Sequence, residues 1–273
     1  MKIGILGAGN MGGAIARGYA RSLAAGADGG QVFVFDIDTP KAEALGKFPG
    51  VAVVSGEAEL VDSSDAVILA IKPQMFGEVV PRIAGLLSGA GPGGKVFVSI
   101  AAGVSIEWLL DTIGPGAKIV RVMPNTPAMV GEGMSAISRS PSVSDAEFSG
   151  VSEVFASVGR AVEVPESLFD AVTGISGSSP AYAYMYIQAL IESGVRHGLT
   201  EKDARAMAAQ STLGAAKMVL ENEDVSVEQM RINVCSPGGT TIEAVRALEK
   251  EGFMDIVKRA VYACVEKSKK MRI

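Results

Sequence analysis

Short apolar runs recur through the first part of the chain, at residues 2–6, 32–35, 51–54, 66–71, 96–100 and 119–123. They have strand length and are rich in Val, Ile and Phe. Between them lie stretches with helical spacing of apolar residues, such as 76–87 and 106–113. Strands alternating with helices predict a mostly parallel sheet covered on both faces. A shorter strand, helix and strand follow at 134–138, 145–157 and 161–164. From Ser167 onward the strand signals stop, and 182–196, 201–220, 227–234, 242–250 and 254–269 read as helices punctuated by Gly198, Gly238-Gly239 and Gly252. The expected architecture is α/β, with a doubly wound parallel sheet over 1–165 and an all-α domain over 166–273.

One stretch in the second part tests that division. Residues 171–191 carry no charge and are long enough to cross a bilayer, but Gly174, Gly177, Pro180, Gln188 and several hydroxyl residues lower their apolar content. The pattern predicts a buried helix with a Gly/Ser/Pro entry instead.

The first strand runs into Gly7-Ala8-Gly9-Asn10-Met11-Gly12, and a helical stretch follows. Strand, G-x-G-x-x-G and helix in this order form a Rossmann-type dinucleotide fingerprint. Gly7 serves the tight turn, Gly9 the approach of the pyrophosphate, and Gly12 the packing of helix on strand. The second strand ends at Asp36, where a carboxylate would accept hydrogen bonds from an adenosine ribose and repel a 2′-phosphate. That favours NADH within an NAD(P)H cofactor assignment. Thr39 and Lys41 could still meet a phosphate, and Asp36 could be an ordinary turn residue. Ligands of an open parallel sheet bind beyond the carboxyl ends of its strands, which points to Lys72-Pro73-Gln74, Ala101-Ala102-Gly103 and Pro124-Asn125-Thr126-Pro127. Lys72 reads equally as a cleft residue or a solvated loop lysine.

A second glycine-rich element lies well beyond this domain, among the helical segments. In Cys235-Ser236-Pro237-Gly238-Gly239-Thr240-Thr241, a Gly pair and two hydroxyl residues precede a helical run. Unpaired N–H groups at such a helix start favour an anion, a carboxylate or a phosphate. The alternative is a plain helix cap after a turn.

Composition narrows the partners. The 273 residues are 48% hydrophobic and 20% charged, with 33 glycines and a net charge of −5. That describes a chain with a large core and no basic excess for nucleic acid or an anionic membrane. Strand residues begin at Lys2 with no basic and apolar leader pattern, so the expected address is cytoplasmic. Two cysteines, Cys235 and Cys264, have no metal-ligand spacing, and His197 is the single histidine. Metal catalysis and His-based triads are therefore poorly supported; His197 reads as a residue of a helix C-terminus and Cys235 as a small, partly buried thiol.

Five blocks, Gly7-Ala8-Gly9-Asn10-Met11-Gly12, Ala70-Ile71-Lys72-Pro73-Gln74, Val122-Met123-Pro124-Asn125-Thr126-Pro127, Gly177-Ser178-Ser179-Pro180-Ala181-Tyr182 and Ser236-Pro237-Gly238-Gly239-Thr240-Thr241, together resemble the Δ1-pyrroline-5-carboxylate reductases. The resemblance implies NAD(P)H-dependent reduction of Δ1-pyrroline-5-carboxylate to L-proline. It implies that the backbone at Gly238, Gly239 and Thr240, with the Ser236 hydroxyl, holds the substrate carboxylate, and that Thr241 hydrogen-bonds the ring nitrogen. It places Gly7, Gly9, Asn10, Met11, Gly12, Asp36, Ala70, Lys72, Pro73, Asn125 and Thr126 around the cofactor, with Ala101 and Gly103 near the nicotinamide. It implies homodimers through the helical domain, assembled in many members into decamers. Asp36 departs from the hydroxyl or basic residues that NADPH-preferring members often carry. The competing readings are a 3-hydroxyacid-type dehydrogenase, which needs a catalytic Lys in a Gly-rich context that Lys217 lacks, and a non-catalytic NAD-binding metabolite sensor.

Overall fold

The computed structural model describes residues 1–26, 30–87 and 94–272. The chain forms two compact units, the first comprising Met1–Ser178 and Cys264–Ile273 and the second Ser179–Ala263. The strand pattern divides the chain at 165/166. The compact units divide later, because residues 166–178 and the last stretch pack with the sheet.

In the first unit the strands are β1 (Lys2–Leu6), β2 (Gln31–Phe35), β3 (Val51–Val53), β4 (Ala66–Leu69), β5 (Val96–Ser99), β6 (Lys118–Met123), β7 (Gly133–Arg139) and β8 (Gly159–Glu163). They form one sheet in the order β3-β2-β1-β4-β5-β6-β7-β8. The first six pair in parallel; β7 runs antiparallel to β6, and β8 parallel to β7. The order reverses between β1 and β4, which opens a crevice at their carboxyl ends.

The period of two along each strand sorts side chains into two cores. Val96 and Val98 of β5 join Ile3, Ile5, Ile15 and Val34 in one, whereas Phe97 joins Leu60, Val67, Phe76 and Leu109 in the other. The covering helices are α1 (Asn10–Ala25), α2 (Thr39–Gly46), α3 (Glu57–Ser63), α4 (Phe76–Leu86), α5 (Ile106–Ile113) and α6 (Asp145–Ala156). The apolar pattern does not announce α2 and α3: each buries only two side chains, Ala42 and Leu45 in one and Leu60 and Val61 in the other. A capping box of Ser144 and Glu147 starts α6, and Glu147 also meets Lys118 of β6 at 2.6 Å. Helix α7 (Phe169–Val172) and a π-helical turn, Thr173–Gly177, follow β8.

The second unit contains α8 (Ser179–Arg196), α9 (Glu201–Glu221), α10 (Val227–Val234), α11 (Thr240–Lys250) and the first part of α12 (Phe253–Lys269). Thr200 caps α9 and Ser226 caps α10 through their side chains. Gly194 of α8 faces Ala204 of α9, where a Cβ would lie 3.1 Å from the Ala204 methyl, so small residues let these two helices approach. The expected buried helix at 171–191 is corrected here: no residue of α8 is buried, and Met185 is 72% exposed. An uncharged run signals burial without saying which chain provides the cover. Among the described residues no helix is long and apolar enough to cross a membrane.

Candidate active site

The glycine turn between β1 and α1 has the shape its sequence demands. Gly7 adopts φ +108°, and a Cβ there would lie 2.5 Å from the Ala70 carbonyl oxygen. Its N–H donates to the Phe35 carbonyl at 2.8 Å, tying the turn to the end of β2. A Cβ on Gly12 would meet the Gly7 carbonyl oxygen at 2.0 Å, so α1 can lie on the turn only because that residue is glycine. Gly9 faces open space. It is also the N-cap of α1, contributes no side-chain cap, and leaves the amides of exposed Asn10 and half-buried Met11 at the helix start. These features fit a dinucleotide pyrophosphate.

Beside the glycine turn lies a cleft of about 370 Å³ that gathers Gly7, Gly9, Asp36, Ala70 and Lys72. The Asp36 carboxylate accepts the Ala8 N–H at 2.6 Å and the Asp38 N–H at 2.8 Å. It thus fixes the glycine turn while each oxygen keeps a lone pair for a further donor. Lys41 pairs with Asp38 at 2.7 Å. Hydrogen bonding to Lys41 lowers the Asp38 pKa, and Asp38 raises that of Lys41. Arg82, at the same cleft, is held in a fork by Glu57, with both N···O distances 2.7 Å. The cations that line this rim, apart from Lys72, are already paired with carboxylates.

Further along the sheet edge, Lys72 is exposed and Pro73 opens a short 3₁₀ turn. Ala101 and Gly103 are buried after β5. Thr126 is exposed at the start of a 3₁₀ turn after β6. Asn125 is buried, and its amide is spent on backbone: Nδ2 donates to the Ser176 carbonyl at 3.0 Å, and Oδ1 accepts the Met134 N–H at 2.9 Å. Its side chain therefore braces the loop against the π-helical turn. Sequence reading missed Arg121, Glu166 and Asp170 beside this region. Arg121 is 7% exposed and pairs with Glu166 at 2.8 Å. An arginine inside the apolar strand Lys-Ile-Val-Arg-Val-Met was the available signal.

In the second unit, Gly238 adopts φ +69° and Gly239 is the N-cap of α11 with no side-chain cap. A Cβ on Gly239 would lie 2.4 Å from the Ser236 hydroxyl, so this glycine lets Ser236 fold over the helix start. Thr240 and Thr241 supply the first two helical positions, Thr241 half-buried, with their amides unpaired by helix geometry. This brings Ser236, Gly238, Gly239, Thr240 and Thr241 together as one anion-ready loop. Lys217 lies elsewhere, exposed on α9, 3.5 Å from Glu221. His197 is exposed beyond α8, its Nδ1 2.8 Å from the Ser193 carbonyl oxygen. Among the described residues no cluster of three His, Cys, Asp or Glu could hold a metal.

An eight-strand, mostly parallel sheet with a phosphate-ready glycine turn at its switch point, followed by an all-helical unit, defines a dinucleotide-binding protein of the Rossmann class. The family model for pyrroline-5-carboxylate reductase dimerisation matches residues 166–271, and the model for coenzyme F420-dependent NADP oxidoreductases matches residues 2–103. The pyrroline-5-carboxylate reductase of Escherichia coli is 38% identical over 99% of this chain and 98% of its own. The solved structure of a Coxiella burnetii pyrroline-5-carboxylate reductase superposes with TM-score 0.90 at 30% identity, covering 99% of this chain and 98% of that one. A Plasmodium falciparum pyrroline carboxylate reductase, solved with NADP bound, gives 0.84 at 34% identity over the same shares. The chain belongs to the pyrroline-5-carboxylate reductase family, a family of NAD(P)H-dependent oxidoreductases that oligomerise through the helical domain.

Proposed function

We infer that the protein reduces Δ1-pyrroline-5-carboxylate to L-proline. The observation that carries this, beside family membership, is the uncapped start of α11 behind the left-handed Gly238. The reduced dinucleotide, when bound, supplies a hydride. The protonated imine carbon accepts it, C=N becomes C–N, and the ring nitrogen keeps its proton. Such an imine is already electrophilic, so the protein's task is to hold and orient it in a dry site. The backbone at Gly238, Gly239 and Thr240 and the Ser236 hydroxyl hold the carboxylate, the Gly239 N–H itself donating to the Ser236 carbonyl at 3.0 Å to shape the turn, and the Thr241 hydroxyl meets the ring nitrogen. Gly7, Gly9, Asn10, Met11 and Gly12 take the pyrophosphate, and Ala70, Lys72, Pro73, Asn125 and Thr126 border the cofactor. Ala101 and Gly103 lie at the nicotinamide end.

Asp36 supports a preference for NADH, because Lys41 and Arg82 are neutralised by Asp38 and Glu57. A homodimer assembled further into a decamer, in the cytoplasm, completes the proposal; light scattering and cell fractionation test those two points. The decisive assay is oxidation of NADH and NADPH with pyrroline-5-carboxylate. Proline formation is expected with both, faster with NADH. Cofactor binding without turnover would leave a metabolite sensor.

A further inference from the structure

The turn after β5 is held by three separated stretches of chain within the first unit, and one of them is the C-terminal segment. The Ala101 N–H donates to the Ser99 hydroxyl at 3.3 Å. At the far end, the first amide of α5, Ile106, donates to Glu166 Oε1 at 2.8 Å. Between them Gly103 adopts φ +83°, and a Cβ there would lie 2.4 Å from the Met271 carbonyl oxygen. The C-terminal backbone therefore passes against the turn at a separation only glycine allows.

What anchors that backbone is Asp170. It is 5% exposed, accepts the Ser268 hydroxyl at 2.8 Å and pairs with Arg272. Behind it, the Arg121 guanidinium stacks 4.7 Å from the centre of the Phe169 ring and donates to the same Glu166 oxygen that holds Ile106. Two arginines and two carboxylates thus hold the two stretches of chain, around residues 166–170 and 268–272, that meet the turn. Burial favours a raised Asp170 pKa; Ser268, Arg272 and Arg121 outweigh it and hold the carboxyl below its ordinary value.

We propose that Asp170 and Arg272 are positioning residues that strap the C-terminal segment across Gly103 and so set the turn that receives the nicotinamide end of the cofactor. The proposal rests on the reading that places Ala101 and Gly103 beside that ring. ADP-ribose carries the adenosine and pyrophosphate of the cofactor but no nicotinamide, so comparing its Kd with that of the reduced dinucleotide isolates this end.

Arg272 is half exposed, and Arg272→Ala is expected to fold. It should weaken NADH binding about tenfold while ADP-ribose binding stays within about twofold, and Arg272→Lys should recover most of the loss. Asp170→Asn, which keeps an acceptor for Ser268, should act in the same direction. Equal weakening of both ligands, no change in either, or no recovery by Lys overturns the strap. Ala101→Val probes the turn directly. If it weakens NADH relative to ADP-ribose and Arg272→Ala does not, the strap alone fails. If neither variant moves the ratio, the placement of the turn fails and the strap with it.

Discussion

The two units bury their apolar side chains in different ways. The sheet unit completes its cores within one chain, with residues such as Ile5, Ile15, Val34, Phe76 and Phe97 at 0% exposure. In the helical unit only Ala204 and Ala208 among the hydrophobic residues are buried, while Met185, Met207, Val234, Met254 and Tyr262 are each at least 60% exposed. Patches of that kind belong at an interface. The glycine turn of the sheet unit lies among cores finished by one chain; the turn between α10 and α11 lies among helices whose apolar faces are open.

The sharpest way to break this contrast is a charge on the exposed face of α8. Met185→Asp should dissociate the oligomer and lower turnover by more than about a hundredfold, with ADP-ribose binding by the sheet unit kept within about twofold. Light scattering with calorimetric titration reads both, and a fully active monomer would erase the difference between the units. Next comes the loop itself. Thr241→Ala should cost about 1–3 kcal/mol of transition-state stabilisation, seen in kcat, whereas Thr241→Ser should keep most activity. Unchanged kcat and KM in Thr241→Ala would reduce the loop to a helix cap.

Two smaller effects belong to the sheet unit. Asp36→Ser should raise the NADPH-to-NADH ratio of kcat/KM about tenfold. Much of that shift should come from lost NADH affinity, because the same carboxylate holds the Ala8 amide; competition kinetics with both cofactors separates the two contributions. For Glu147, burial opposes ionisation, but Lys118 and Ser144 hold the carboxyl down to about 2 against an ordinary 4.5. The folded pKa is the lower one, so this stabilisation is complete above about pH 4.5 and fades as the pH falls toward 2. Glu147→Gln should cost about 1 kcal/mol at pH 7, with the gap to the parent closing in acid. Denaturant titrations at several pH values check the sign.

Much of the sheet was legible because strands buried on both faces read as short continuous apolar runs, and because Gly7 and Gly12 occupy places where no side chain fits. The turn ahead of α11 was legible for a related reason, since Gly238 and Gly239 mark backbone that must turn or be overlain. Helices α2 and α3 were not, because burying only two side chains each leaves no periodicity to see. The cluster around Asp170 was hidden for another reason. Asp170 and Arg272 lie 102 residues apart, and their pairing depends on a return of the chain that no local pattern encodes.

That return has a consequence for the order of events during synthesis. The Ser178 and Cys264 side chains, 86 residues apart, meet at 3.3 Å within the sheet unit, so the chain leaves that unit and rejoins it at the same place. Translation delivers roughly 5–20 residues per second, so a nascent sheet unit waits on the order of 4–17 s for its last strip. Until then Asp170 lacks its arginine and the backbone against Gly103 has not arrived. The unit whose synthesis begins first is also the last to be finished.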